Sequence, residues 1–286
     1  MAEVLKAVDK IILGYLAATG ALIAAYWNRI PGAAELLALH AAGALIIVLA
    51  RQRPGRASWY LGHWYPLLFV AACYREMSIL IPAVRRTNAD QWLMDLDYAI
   101  WHANPTVWLE RVQTPALTEF LQLIYTVFVP VVLLVPALLW RQRRYADFRY
   151  CAFLISLGFL LSYIGYMIVP ARGPRFLLEH APLQGLWLFN SMQATLDRLE
   201  SAHYDCFPSG HVELTILAWW SSRQVSKRLF WVYLAYTLGM IFATVYLRYH
   251  YTVDLVAGAL VAIVLLLVAP AMYRKLSGKE DPVGGN

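Results

Sequence analysis

Eight stretches of this chain are apolar over about the length a helix needs to cross a bilayer, roughly 20 residues. They lie near residues 11–27, 35–50, 63–82, 118–140, 150–170, 210–226, 229–247 and 252–272. The pattern predicts an all-α polytopic membrane helix bundle. The sixth run is the weakest, because its first turn carries His211, Glu213 and Thr215. A polar helix start of that kind is expected where a site meets the membrane interface. Glu3 and Asp9 dilute the basic flank that a signal peptide would have, so the first run is read as a helix. Between the third and fourth runs, residues 83–117 are amphipathic. Leu93, Leu96, Ile100 and Trp101 recur at helical spacing, Asn104-Pro105 interrupts them, and Trp108, Leu109 and Val112 resume the apolar face. This predicts helices lying on the bilayer surface, which both cap the bundle's helix ends and, through Trp101 and Trp108, gate lateral entry of a lipid.

Composition agrees with a membrane protein: 60% of the 286 residues are hydrophobic, only 15% are charged, and the mean hydropathy is +0.51. Charge distribution sets the expected orientation. With a cytoplasmic N-terminus, the inner segments carry 15 Lys and Arg and the longer outer segments carry 8. Both termini are therefore expected inside, and the segments opening at residues 210 and 252 begin outside. Three cysteines give no disulfide framework. Neither a nucleotide-binding glycine loop, a basic nucleic-acid patch nor a metal-ligand spacing is present in the sequence.

Two strings carry the chemistry: Cys206-Phe207-Pro208-Ser209-Gly210-His211, and His250-Tyr251-Thr252-Val253-Asp254 after one intervening apolar helix. The chain crosses and returns between them, which brings both histidines to one side. Pro208-Ser209-Gly210 places a turn before a helix whose free N–H groups and dipole favour an anion. His211 then stands where it can protonate a leaving oxygen. His250 and Asp254 are four apart, which predicts one face of a helix's first turn, with the carboxylate fixing the imidazole tautomer. Arg172 and Arg175 follow the fifth run immediately and suit phosphate oxygens. Arg75 and Glu76 interrupt the third run. Either they line a polar cavity, with Arg75 as a substrate contact, or they neutralise one another. Cys206 reads as a packing residue, and His203 and Asp205 as loop residues.

These strings resemble the type 2 phosphatidic acid phosphatase superfamily, which also holds vanadium haloperoxidases and sphingolipid synthases. The family pattern is Lys-x6-Arg-Pro, Pro-Ser-Gly-His and Ser-Arg-x5-His-x3-Asp. Residues 208–211 match the second element in full, and residues 250–254 match the His-x3-Asp of the third. The resemblance spans about residues 60–272. It implies that His250 is a phosphohistidine nucleophile, Asp254 its partner, His211 the general acid, and Ser209 and Gly210 phosphate ligands. The chain departs from the pattern in its first and third elements. No lysine stands seven before Arg172 or Arg175, and Thr244 occupies the arginine position of the third element. Arg248, two before His250, is the candidate replacement for that charge.

The reading is a lipid phosphate phosphatase with a metal-independent, extracytoplasmic site, taking a membrane lipid phosphate as substrate and no cofactor. The alternative is a lipid phosphotransferase resembling inositol phosphorylceramide or sphingomyelin synthases, which would add an alcohol acceptor. A haem carrier ligated by His211 and His250 is the non-enzymatic rival. The expected division is two N-terminal transmembrane helices (1–58), a six-transmembrane catalytic core (59–276, with surface helices at 83–117) and a disordered tail (277–286). Neither nucleic acid nor metal is expected as a partner, and the sequence leaves the oligomeric state open.

Overall fold

The computed structural model describes residues 5–52, 55–199 and 203–278. Most of the expected tail therefore lies outside the described residues. Twelve α-helices follow in order: α1 (Ala7–Ala25), α2 (Ala33–Gln52), α3 (Arg56–Val84), α4 (Asp90–Trp101), α5 (Pro105–Trp108), α6 (Pro115–Thr126), α7 (Phe128–Arg141), α8 (Tyr145–Ile168), α9 (Phe189–Leu199), α10 (Gly210–Ser222), α11 (Lys227–Tyr246) and α12 (Thr252–Ser277). No strand occurs among the described residues; a single bridge pairs Ala171 with Asp205.

Six helices, α1, α2, α3, α8, α11 and α12, are long and apolar enough to cross a membrane. The expected fourth crossing is a broken one, with α6 and α7 meeting at 47°. Pro130, in the first turn of α7, has no N–H to continue the α6 ladder, so the helix cannot run straight through. The expected sixth crossing is shorter than its apolar run. At 13 residues α10 spans only about 20 Å.

The bundle is built around α8, whose residues from Phe148 to Leu160 are buried on almost every side. It packs against α1, α3, α7, α10 and α12, while α10 packs against both α11 and α12. Close approach is made possible by glycine at one contact in particular. A Cβ on Gly158 of α8 would lie 2.8 Å from Leu217 and 3.0 Å from Glu213 of α10. Helices α1 and α2 are tied to the rest by polar contacts as well as packing. Arg51 makes two hydrogen bonds to the buried Asp9 at 2.8 and 2.9 Å, and Tyr65 also donates to Asp9. Glu76 of α3 lies 3.2 Å from His40 of α2.

Candidate active site

His211 is the second residue of α10. Ser209 caps that helix: its hydroxyl accepts from Val212 N, and its carbonyl from Glu213 N at 3.0 Å. Among the described residues the N–H groups of Gly210 and His211 have no hydrogen-bond partner, as the first turn of a helix leaves them. A Cβ at Gly210 would stand 2.5 Å from the Tyr166 hydroxyl, so the turn fits against α8 only as glycine. The His211 ring is held between Tyr125 and Phe128, each 4.5 Å away centroid to centroid, from the α6–α7 elbow. Tyr125 in turn stacks on Tyr249 at 4.1 Å. The kink that breaks the fourth crossing thus supplies the clamp for the second histidine.

His250 does not sit in the first turn of α12, as its spacing to Asp254 suggested. It precedes the helix, whose N-cap is Tyr251. Asp254 folds back to accept from Tyr251 N at 2.9 Å, which is its best route to satisfying a helix end. His250 Nδ1 lies 2.8 Å from the Cys206 carbonyl and 3.5 Å from Asp254 Oδ2. A carbonyl can only accept, so Nδ1 carries the hydrogen and Nε2 keeps its lone pair. That Nε2 lies 3.4 Å from His211 Nδ1. The structure therefore brings His211, His250 and Asp254 together, with the two rings facing one another.

Cys206, read as a packing residue, belongs to this cluster. Its thiol donates to Asp254 Oδ2 at 2.7 Å and lies 3.6 Å from His250 Nδ1. Burial, reinforced by Asp254, holds the thiol well above its usual pKa, so it is a proton donor here. Asp205 is half-buried and accepts from Tyr74 of α3 at 2.7 Å. Burial pushes its carboxyl upward.

The arginines divide. Arg248 is buried, donates through Nη2 to Glu110 at 3.2 Å, and leaves its Nε without a partner. Its backbone adopts φ +69°, a left-handed conformation that closes α11 and is costly for a side-chain-bearing residue. The Arg175 guanidinium lies 4.6 Å from the Tyr249 ring and 3.4 Å from Asp197. Arg172 is exposed, with its guanidinium 4.4 Å from the Phe176 ring. A cleft of about 530 Å³ opens at Arg248 and Tyr249, the two residues before His250, and is also lined in part by Arg175, Asp197, Gln193 and His203. Arg75 is elsewhere. It is exposed on α3 and its guanidinium has no hydrogen-bond or ion-pair partner among the described residues. Glu76 pairs with His40 and not with Arg75, which corrects the reading of the two as a self-neutralising pair.

Two residues of the surface helix α4 position the loops, and the sequence reading passed over both. Asp90 accepts from the amides of Arg172 and Gly173 at 2.8–3.0 Å and from the Tyr251 hydroxyl at 3.2 Å. Asp97, two turns along the same face, accepts from Thr252 N, Val253 N and the Thr252 hydroxyl at 2.7–3.0 Å. Leu93 is buried between them, while Ile100 and Trp101 are exposed. The seven-residue spacing of two acids around a leucine was the available signal, masked by the stronger apolar pattern. Trp101 contributes differently, donating to the Thr252 hydroxyl at 2.8 Å.

A family model described as the PAP2 superfamily matches residues 91–268, more than half of the chain, a span that contains His211, His250 and Asp254. A PA-phosphatase related-family protein of Dictyostelium discoideum is 30% identical over 135 residues, covering 45% of this chain and 24% of its own length. The chain thus spans about a quarter of the length of that curated relative. No solved structure matches the chain.

Proposed function

The chain belongs to the PAP2 superfamily, and we propose that it is an integral membrane lipid phosphate phosphatase acting through a phosphohistidine on His250. The observation that carries this reading is the pair of facing ring nitrogens, 3.4 Å apart, beside the two unpartnered amides that open α10. A nucleophile with a free lone pair, a separate acid and an anion-binding helix start are the parts phosphoryl transfer needs.

In the first step His250 Nε2 attacks phosphorus, a P–N bond forms, and the bond from phosphorus to the lipid oxygen breaks. His211, which takes up a proton as the negative phosphate enters beside it, gives that proton to the departing alkoxide. The negative oxygens rest against the Gly210 and His211 amides and the guanidinium of Arg248, with Arg175 alongside. In the second step water attacks phosphorus, gives a proton to His211, and the P–N bond breaks. The Cys206 carbonyl holds the Nδ1 hydrogen throughout, which keeps Nε2 available and stabilises positive charge on the phosphorylated ring. Ser209 acts through the turn it caps, and Asp254 through the same turn and its charge.

The proposed substrates are lipids bearing a phosphate or diphosphate, such as phosphatidic acid, phosphatidylglycerophosphate, isoprenoid phosphates and phosphorylated lipid A. Following the positive-inside distribution, both termini are cytoplasmic and the site opens on the other side. No part of this mechanism calls on a metal. The second reading, transfer to an alcohol, is favoured by one observation: the cleft at Arg248 and Tyr249, next in the chain to His250, has room and polar lining for an acceptor. Purified protein incubated with a panel of labelled lipid phosphates, with and without alcohol acceptors, separates the two. Free phosphate supports hydrolysis, a new phosphodiester supports transfer, and neither product from any lipid overturns both.

A further inference from the structure

The buried side of His250, turned away from His211, holds a second set of donors. Cys206 Sγ, His250 Nδ1 and an Asp254 oxygen all lie within 4.8 Å of one another, and all three residues are almost fully buried. Asp254 Oδ1 has no hydrogen-bond partner although its residue is completely enclosed. Buried carboxylate oxygens are seldom left so, because the cost is of the order of 1–3 kcal/mol. The surrounding charge is also negative. Asp90 acts on Cys206 and Asp205 on His250, with Arg175 also acting on Asp205.

We propose that Cys206, His250 and Asp254 form a binding site for a zinc-like divalent cation, and that its occupation switches the nucleophile off. The second half rests on the phosphohistidine reading; the first does not. A thiolate, an imidazole and a carboxylate are the ligand types that select zinc over magnesium or calcium. With ordinary zinc–ligand lengths, the edges of a tetrahedral site measure about 3.4–3.6 Å. The sulfur-to-Nδ1 distance is 3.6 Å and the Nδ1-to-Oδ2 distance is 3.5 Å. The third edge, sulfur to Oδ2, is 2.7 Å because a thiol proton now bridges it. Replacing that proton by the cation needs an opening of less than about 1 Å. One thiolate and one carboxylate also neutralise a divalent ion, which removes the penalty of burying net charge. The fourth position is left for water or a main-chain carbonyl.

Binding has a definite proton balance. The Cys206 thiol loses its proton to solvent as the sulfur–metal bond forms. The hydrogen on His250 Nδ1 must leave that nitrogen for its lone pair to bind, and the neutral ring takes a proton at Nε2 instead. Nε2 is the attacking atom, so the cation fixes the ring in the tautomer that cannot form a P–N bond.

Titration of the purified full-length protein with Co²⁺ tests this. Wild type should develop a thiolate-to-cobalt charge-transfer band and four-coordinate ligand-field bands, and Zn²⁺ should abolish both by competition. Cys206→Ser keeps a hydroxyl to donate to Asp254 but offers no thiolate. It should lose the charge-transfer band and weaken Zn²⁺ binding by more than about tenfold, since loss of an outer partner alone costs at least that much. Wild type without the bands, or Cys206→Ser that retains them through Cys73 or Cys151, would overturn the site. Saturating Zn²⁺ that leaves phosphate release untouched would overturn the switch. Because the absorbance needs no substrate, a protein inactive on every lipid phosphate yet showing the bands would support the site while removing the phosphatase reading.

Discussion

Asp254 Oδ2 stands 3.5 Å from His250 Nδ1, farther than the Cys206 carbonyl, and spends its hydrogen bonds on the Cys206 thiol and the Tyr251 amide. The carboxylate is therefore an anchor for the turn that carries the nucleophile as much as a partner for the ring. That separates the expected behaviour of three variants. His250→Ala and His211→Ala should each lose on the order of 10²–10⁴ in kcat, the scale of a missing nucleophile or acid. Asp254→Asn retains an oxygen for Tyr251 N and should lose less, about tenfold to a hundredfold, while the protein melts at lower temperature. Steady-state phosphate release and thermal unfolding in detergent check this, and wild-type kcat in either histidine variant would refute the assignment.

Asp97 makes three hydrogen bonds to the start of α12 without touching a reacting atom. Removing it leaves two helix amides without acceptors in a half-buried place, a loss of about 1 kcal/mol. Asp97→Ala should lower the unfolding midpoint clearly, yet change kcat by less than about tenfold where the protein is still folded. Asp90→Ala should do the reverse in emphasis. It frees the Arg172 and Gly173 amides, whose loop passes so close to Tyr249 that a Cβ at Gly173 would lie 2.5 Å from its carbonyl oxygen. A raised KM with a smaller change in midpoint is the expected result. Equal kinetics for the two variants would contradict separate roles.

His180 gives a pH dependence with a definite sign. It faces Glu110 through Nδ1 at 3.0 Å and Arg248 by charge. Burial lowers its pKa first, and Arg248 adds to that against the opposing pull of Glu110. The folded state therefore takes up a proton at lower pH than the unfolded chain does, whose histidine titrates near 6.5. As pH falls through that value the unfolded state gains the proton first, and stability drops. The unfolding midpoint should fall between about pH 7.5 and 5.5, and His180→Asn should show a smaller fall over the same range. Parallel curves for the two proteins would remove His180 as the cause.

Much of this was legible in the sequence, for reasons that differ between elements. Periodicity and length located the long crossings, because an apolar run needs no context to be apolar. The break at Val127 was not read from them, since Pro130 lies inside an unbroken hydrophobic stretch and signals only the missing N–H. Residues 208–211 and 250–254 announced the two histidines because their spacing is local. The groups that hold those histidines were silent: Tyr125 and Phe128 look like any membrane aromatics, and Cys206 meets Asp254 only once the loops fold together. Asp90 and Asp97 were likewise passed over, because they flank Leu93 on the face that the apolar pattern marked, and that face turns toward the site. Long-range hydrogen bonds leave no periodic trace, so a single sequence cannot display them.

Arg248 offers a way to tell a ligand from a structural residue, because its backbone and its side chain make opposite demands. At φ +69° glycine is favoured over any side chain, so Arg248→Gly should leave the unfolding midpoint unchanged or raise it. The same change removes the one guanidinium that is buried beside the histidines with an unpartnered Nε. If that group holds phosphate oxygens, Arg248→Gly should raise KM about tenfold to a hundredfold, the scale of a lost charged hydrogen bond. Inhibition by vanadate, which imitates five-coordinate phosphorus, should weaken in step. Arg248→Lys keeps the charge but not the fork, and should fall between the two. A glycine variant as active as wild type would mean that the strained turn serves only to end α11, and that the phosphate is held by the helix start alone.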